Sequence, residues 1–196
     1  MLYSLTLSKR GSSVKDARLR CAIVGNIERF FFFGTLMDLD VLEIVLGRKL
    51  RAQRLHPARL EGFHAYMAHD EDVPVLVSAS GSSVGGVVID ELSADDQTRI
   101  AFFEDSEYSY EVRPVIVNDV VSVQAKVHVQ SCLIANQERD WHYVSWRQSE
   151  KPLFLILARQ WMRHLGVADL TEANAEWDRT RARYRAGMAT KIPRSR

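Results

Sequence analysis

The first two thirds of the chain show patterns of apolar and polar positions that are typical of β-strands. The clearest lies within residues 120–134, where every second side chain from Val121 to Val129 is apolar and the intervening ones are polar. A period of two places alternate side chains on opposite faces of a sheet. Phe30 to Phe33 form a wholly apolar run, as expected of a strand that is buried on both faces. We therefore predict a strand in each segment.

Further strands are predicted at residues 57–67, 73–78, 84–92 and 108–117, with a turn at Ser80-Gly81-Ser82 between the second and the third. One short helix is expected between a cap at Asp38 or Asp40 and a stop at Gly47, and another between Ser93 and Phe103. These helices do not separate every pair of strands. The order therefore predicts an α+β fold, mainly an antiparallel, closed or nearly closed β-barrel with short inserted helices.

The pattern changes after residue 149, where apolar residues recur at helical spacing behind Pro152 until Gly166, and a second helix is expected from about Thr171. We divide the chain into a flexible N-terminal extension (1–27), a barrel domain (28–149) and a C-terminal helical extension (150–196) that packs on the barrel. Four tryptophans either attach these helices to the barrel or cover the surface of a homodimer: Trp141, Trp146, Trp161 and Trp177.

Composition narrows the class of protein without identifying it. The 196 residues carry a formal net charge of +1, which gives no general attraction to nucleic acid or to an anionic membrane. No apolar run approaches the ~20 residues that would cross a bilayer, and the arginines between Arg179 and Arg185 spread around a helix surface. Cys21 and Cys132 are far apart, which suits a reducing compartment. We expect a cytoplasmic protein that binds neither nucleic acid nor membrane.

Two places could carry chemistry, and the first is the corner at Gly34-Thr35-Leu36. Glycine lets the backbone approach a ligand closely, and a helix N-terminus behind it adds partial positive charge. Such a corner suits a carboxylate or a developing oxyanion. The alternative is a simple turn between a strand and a helix.

The second place is Glu104, which directly follows Phe102 and Phe103. A carboxyl held against apolar side chains has a raised pKa and can take and return a proton near neutrality. The alternative is a solvated acidic loop after a helix.

Four segments, in this order and spacing, resemble motifs of the gamma-glutamylcyclotransferase-like family. They are Gly34-Thr35-Leu36 after an apolar strand, Val73-Pro74-Val75-Leu76, Val84-Gly85-Gly86-Val87-Val88, and Phe103-Glu104 followed by Tyr108 and Tyr110. The resemblance covers about residues 28–135. The Gly-Thr-Leu form is most similar to the gamma-glutamylamine branch of that family.

The resemblance implies that Gly34, Thr35 and Leu36 hold a gamma-glutamyl group through their backbone and that Glu104 is the catalytic acid and base. It implies a cyclotransferase, an acyltransferase or lyase in reaction type. Its small-molecule substrate carries its own nucleophile, an α-amine that attacks the γ-carbonyl, closes 5-oxoproline and expels an amine. Because the attack is intramolecular, a folded-back pose lowers the barrier. No metal or organic cofactor is implied.

Three positions depart from the family pattern. Phe33 stands where the motif has tyrosine, Ala101 where it has aspartate, and His128 where a tyrosine commonly lines the pocket. His128 lies on the polar face of its strand, where it would either bind substrate or be solvated; Tyr110 is expected to line the same pocket. Two alternatives stay open: acyl transfer from, or hydrolysis of, another amide in this pocket, and a non-catalytic binding module.

Overall fold

A computed structural model describes residues 28–69, 73–104, 108–130, 135–167 and 169–189. The six strands are β1 Arg29–Phe32, β2 His56–Ala68, β3 Pro74–Asp90, β4 Tyr108–Val117, β5 Val121–Gln130 and β6 Ala135–Asp140. The five α-helices of the described part are α1 Leu39–Leu46, α2 Ala94–Glu104, α3 Tyr143–Ser149, α4 Lys151–Met162 and α5 Thr171–Ala189. Short 3-10 helices occupy Gly34–Met37 and Ala52–Arg54. The predicted extension, residues 1–27, and both cysteines lie outside the described residues.

Five strands close into a barrel, in the order β3-β1-β5-β4-β2, because β2 also pairs with β3. Every pairing is antiparallel except that of β1 with β5. The prediction of a closed, mainly antiparallel barrel is thus confirmed. One cluster of buried side chains, which includes Phe31, Leu60, Val115 and Val127, fills the barrel. A second and larger cluster lies between the barrel and the helices.

The predicted turn at Ser80-Gly81-Ser82 is wrong, because residues 74–90 form one strand that pairs with β2 along its length. The pairing goes from Glu61↔Ser83 to Phe63↔Ser78, so one residue of β2 faces four residues of β3. Gly62 and Gly81 both have positive φ, at 79° and 81°. The glycine and serine residues therefore form an irregularity within a long ribbon rather than its end.

Both inserted helices begin where capping residues predict. Asp38 caps α1 by accepting a hydrogen bond from the Asp40 amide at 3.0 Å, and Gly47 ends the helix with φ 66°. At α2 the Ser93 hydroxyl accepts from the Asp96 amide at 3.1 Å, and the Asp96 carboxylate accepts from the Ser93 amide at 3.0 Å. This reciprocal arrangement satisfies two amides that a helix start would leave unpaired. The cap fixes where α2 begins, and Glu104 is the last residue of this helix.

The C-terminal helices are held against the other helices by aromatic side chains. Trp161 stacks on Phe102 with ring centroids 5.8 Å apart, and its indole N–H donates to the Phe102 carbonyl at 3.2 Å. Trp141 and Trp146 are buried in the same cluster, as expected if tryptophans attach these helices. The family resemblance did not indicate β6, whose mostly exposed side chains lack alternation; it pairs with β2 outside the barrel. No helix in the described ranges is long and apolar enough to cross a membrane.

Candidate active site

Glu104 and His128 form a close polar pair, with His128 Nδ1 and Glu104 Oε2 3.1 Å apart. Glu104 is the last residue of α2, and His128 lies near the end of β5. Their side chains are only 17% and 8% exposed. Glu104 therefore does not lie in a solvated loop, and the His128 side chain is not solvated. The alternation in β5 placed His128 on the polar face of the strand, but there the Glu104 carboxyl and the Tyr110 ring lie against it.

Tyr110 completes the pair into a group of three. It lies opposite His128 in the β4–β5 ladder, and the two rings stack with centroids 4.6 Å apart. Its hydroxyl is buried and has no hydrogen-bond partner among the described residues. Burial, and then the negative charges of Glu104 and Glu28, raise the pKa of Tyr110 to about 12. The hydroxyl therefore stays protonated at neutral pH and can donate to a bound molecule.

A lysine beside this group was not predicted. Lys126 Nζ lies 5.3 Å from the centre of the Phe30 ring and 5.9 Å from that of Tyr110, and it pairs with Glu28. Its hydrogen bond lowers the pKa of the Glu28 carboxyl. Lys126 precedes His128 by two residues, so the period of two in β5 was a signal that could have found it.

The predicted corner after β1 is buried but is built differently from the expectation. Gly34, Thr35 and Leu36 belong to a 3-10 helix that Phe33 precedes in an extended conformation. Gly34 has φ 66°, and a Cβ added to it would lie 2.3 Å from Pro74 Cγ. The glycine is therefore required by the left-handed conformation and by contact with Pro74. The Leu36 side chain packs in the core, so only the backbone of Leu36 can hydrogen-bond a ligand.

We expected an α-helix to begin directly behind this corner and to add partial positive charge there. The structure contradicts this expectation. The helix α1 begins only at Leu39, and its Asp40 amide is already bound by the Asp38 carboxylate. Asp38 also accepts hydrogen bonds from Tyr143 Oη and from Lys151 Nζ, each at 2.8 Å. Any donors at the corner are therefore the first amides of the 3-10 helix, which have no acceptor within a helix.

Strand register brings this corner and the Glu104–His128 pair to the same end of the barrel. The parallel strands β1 and β5 pair Phe30 with Lys126 and Phe31 with Val127. Phe32 ends β1 one residue beyond this pairing, as His128 follows Val127 in β5, and Phe33 and Gly34 come next. Phe33 packs against both hydrophobic clusters.

Two of the glycine-containing motifs make direct contact with the segments around them. Besides the contact of Gly34 with Pro74, a Cβ on Gly86 would lie 2.3 Å from the Phe32 carbonyl oxygen and 2.7 Å from Phe31 Cζ. Gly86 thus lets β3 lie close against the end of β1. Three of the four segments quoted for the resemblance are therefore neighbours in the fold.

Comparison with known proteins identifies the family. Residues 30–148 match the model of the family described as gamma-glutamyl cyclotransferase, AIG2-like. The match spans well over half of the chain, and the protein belongs to this family.

The similar proteins are distant in sequence. AIG2-like protein D of Arabidopsis thaliana is 25% identical over 142 residues, which cover 70% of this chain and 90% of that protein. AIG2-like protein C of the same plant is 23% identical over 137 residues, 67% of this chain and 76% of that protein. A solution structure of an Arabidopsis thaliana protein is 20% identical, with a TM-score of 0.52, and the match covers 76% of this chain and 90% of that one. At this identity, the likeness shows the fold alone.

Proposed function

We propose that the protein releases 5-oxoproline and an amine or amino acid from a gamma-glutamyl compound, with Glu104 as general base and then general acid. The observation that supports this most is the partly buried carboxyl of Glu104, which lies 3.1 Å from His128 at the barrel end where the backbone of residues 34–36 begins. Membership of the family supports the class of reaction. The gamma-glutamylamine branch supplies the preferred substrate type, because the corner reads Gly-Thr-Leu.

The reaction moves two protons away from the α-ammonium nitrogen, and the departing nitrogen gains two. The Glu104 carboxylate takes a proton from the α-ammonium of the substrate, and the free amine then attacks the γ-carbonyl carbon. The new C–N bond closes the five-membered ring and leaves an oxyanion on the former carbonyl. When the intermediate collapses, the bond to the departing nitrogen breaks and Glu104 returns the proton to it. The ring nitrogen, which still holds one hydrogen too many for an amide, gives up a second proton, and the released amine ends as an ammonium ion. One carboxyl therefore serves both halves of the reaction.

The other predicted site residues have roles in holding the substrate. The backbone amides of Gly34, Thr35 and Leu36 donate to the α-carboxylate or to the oxyanion, since both carry negative charge. The Tyr110 hydroxyl is a buried donor beside Glu104 that lacks a partner among the described residues, and the substrate would satisfy it. Phe33 offers an apolar surface where the family motif has a hydroxyl.

The test is an assay of the purified protein with a panel of gamma-glutamyl amines, amino acids and peptides, in which 5-oxoproline is measured by mass. Glu104→Gln keeps the size of the side chain and removes its ability to shuttle a proton. We expect activity with at least one substrate and a loss of 100-fold or more in the variant, on the order of general acid–base catalysis.

Glu138→Gln is the matched control, since Glu138 is an exposed glutamate on β6. It should keep wild-type activity. No product from folded wild type with any member of the panel would favour a binding module, and release of glutamate instead of 5-oxoproline would favour hydrolysis.

A further inference from the structure

We infer that His128 is a positioning residue for this reaction: it holds Glu104 by one carboxylate oxygen, so that the other oxygen carries the proton. This inference rests on the proposed function. It goes beyond the resemblance, which placed His128 among substrate-binding residues, because the geometry joins His128 to Glu104 itself.

The proposed role requires a hydrogen on Nδ1 of His128. An ionised carboxylate can only accept, so His128 can hold Glu104 through an Nδ1–H group, and Nδ1 lies 3.1 Å from Glu104 Oε2. The bond occupies Oε2, which leaves Oε1 to take the substrate proton. It also restricts rotation of a glutamate side chain that is otherwise attached through three single bonds.

The histidine ring is itself fixed in place. It stacks on Tyr110 from the neighbouring strand, with an angle of 30° between the planes, and its side chain is 8% exposed. Among the described residues, the charged groups beside this stack include Glu104 at the end of α2, Lys126 on β5, and Glu28 before β1. The ring can therefore hold Glu104 with little motion of its own, and a small misplacement of a catalytic group can cost about 100-fold in rate.

Two substitutions separate this role from simple packing. In His128→Asn the side-chain N–H₂ group reaches close to the place of Nδ1 and keeps a donor, whereas His128→Leu keeps an apolar side chain of moderate size without one. We expect kcat of His128→Leu to fall about 10- to 100-fold with KM nearly unchanged, and His128→Asn to recover most of it. Thermal unfolding of each variant shows whether it is folded.

His64 supplies a matched control, because it also pairs with a carboxylate and contacts a tyrosine ring. Its Nε2 lies 2.9 Å from Asp140 Oδ1, and its ring centroid lies 4.4 Å from that of Tyr66. We expect His64→Leu to keep wild-type kcat. A His128→Leu enzyme as active as wild type, or a folded His128→Asn as impaired as His128→Leu, would overturn the inference.

A second measurement does not depend on turnover. The ¹⁵N shifts of the His128 ring report which nitrogen bears the hydrogen. We expect the Nδ1–H form in the wild type and its loss in Glu104→Ala, and an Nε2–H form in the wild type would contradict the inference. A wild type that forms no 5-oxoproline overturns the proposed function and the catalytic role of His128 together, whereas an active wild type with an indifferent His128 overturns only that role.

Discussion

At the scale of single residues, the Asp96 carboxyl shows how a helix cap and an ion pair act on one group. Arg48 donates to it at 2.9 Å and 2.7 Å, and the Ser93 amide adds a third hydrogen bond. The hydrogen bonds of Arg48 lead the causes that lower the pKa of Asp96 from 3.8 to about 2. The ionised form is thus favoured in the folded state.

This lowered pKa predicts an acid-dependent loss of stability. Because the folded-state pKa lies below the unfolded one, the contribution is complete above pH 3.8 and is lost as the pH falls to about 2. Arg48 is 41% exposed, so we discount the effect for solvent screening and expect about 1–2 kcal/mol. Urea unfolding between pH 5 and pH 2 should show a smaller loss in Asp96→Asn than in the wild type. If the unfolding free energies of the wild type and Asp96→Asn fell equally between pH 5 and pH 2, the loss could not be assigned to Asp96.

Two neighbouring glycines in β3 should respond in opposite ways to alanine. Gly86→Ala places a methyl group against the Phe32 carbonyl, a backbone atom that can move only if β1 moves. We expect a loss of about 1–3 kcal/mol of unfolding free energy. Gly85→Ala meets no heavy atom within 4 Å in the described structure and should be neutral or stabilising by up to about 1 kcal/mol. Chemical denaturation of both variants measures the two changes in unfolding free energy. Equal changes would contradict the close approach of β3 to β1 at Gly86.

At the scale of elements, strands and helices with strong local signals were predicted well. The alternation in β5 and the caps of α1 and α2 depend on neighbouring residues alone, so they can be found from the sequence. The unbroken β3 could not be, because its length is set by pairing with the distant strand β2. A Ser-Gly-Ser segment has the same local composition in a turn and in an irregular strand.

The connection between α1 and α4 depends on a buried ion pair. The Asp38 and Lys151 side chains are 3% and 12% exposed and lie 2.8 Å apart. In Lys151→Met the Asp38 charge loses this partner, and we expect a loss of about 3 kcal/mol. The control Lys49→Met removes a partner of Glu43 that is 90% exposed, and it should change stability little. Similar losses in the two variants, measured by urea unfolding, would contradict a buried contribution.

At the scale of the whole molecule, Glu104 and the corner at residues 34–36 were predicted from motifs far apart in the chain. Their common location depends on the parallel pairing of β1 with β5, which no local pattern contains. The contact between Glu104 and His128 was missed for the same reason: it joins the end of a helix to a strand residue 24 positions later. The division into a barrel domain and a C-terminal helical extension stays a prediction.

The central claim is that Glu104 and the amides of residues 34–36 hold the same ligand. Titration of ¹⁵N-labelled protein with 5-oxoproline, the proposed product, tests it most directly. The account predicts saturable shifts of the Gly34, Thr35 and Leu36 amides together with those of Glu104 and the His128 ring. Shifts confined to another part of the molecule, or none at millimolar 5-oxoproline, would contradict it.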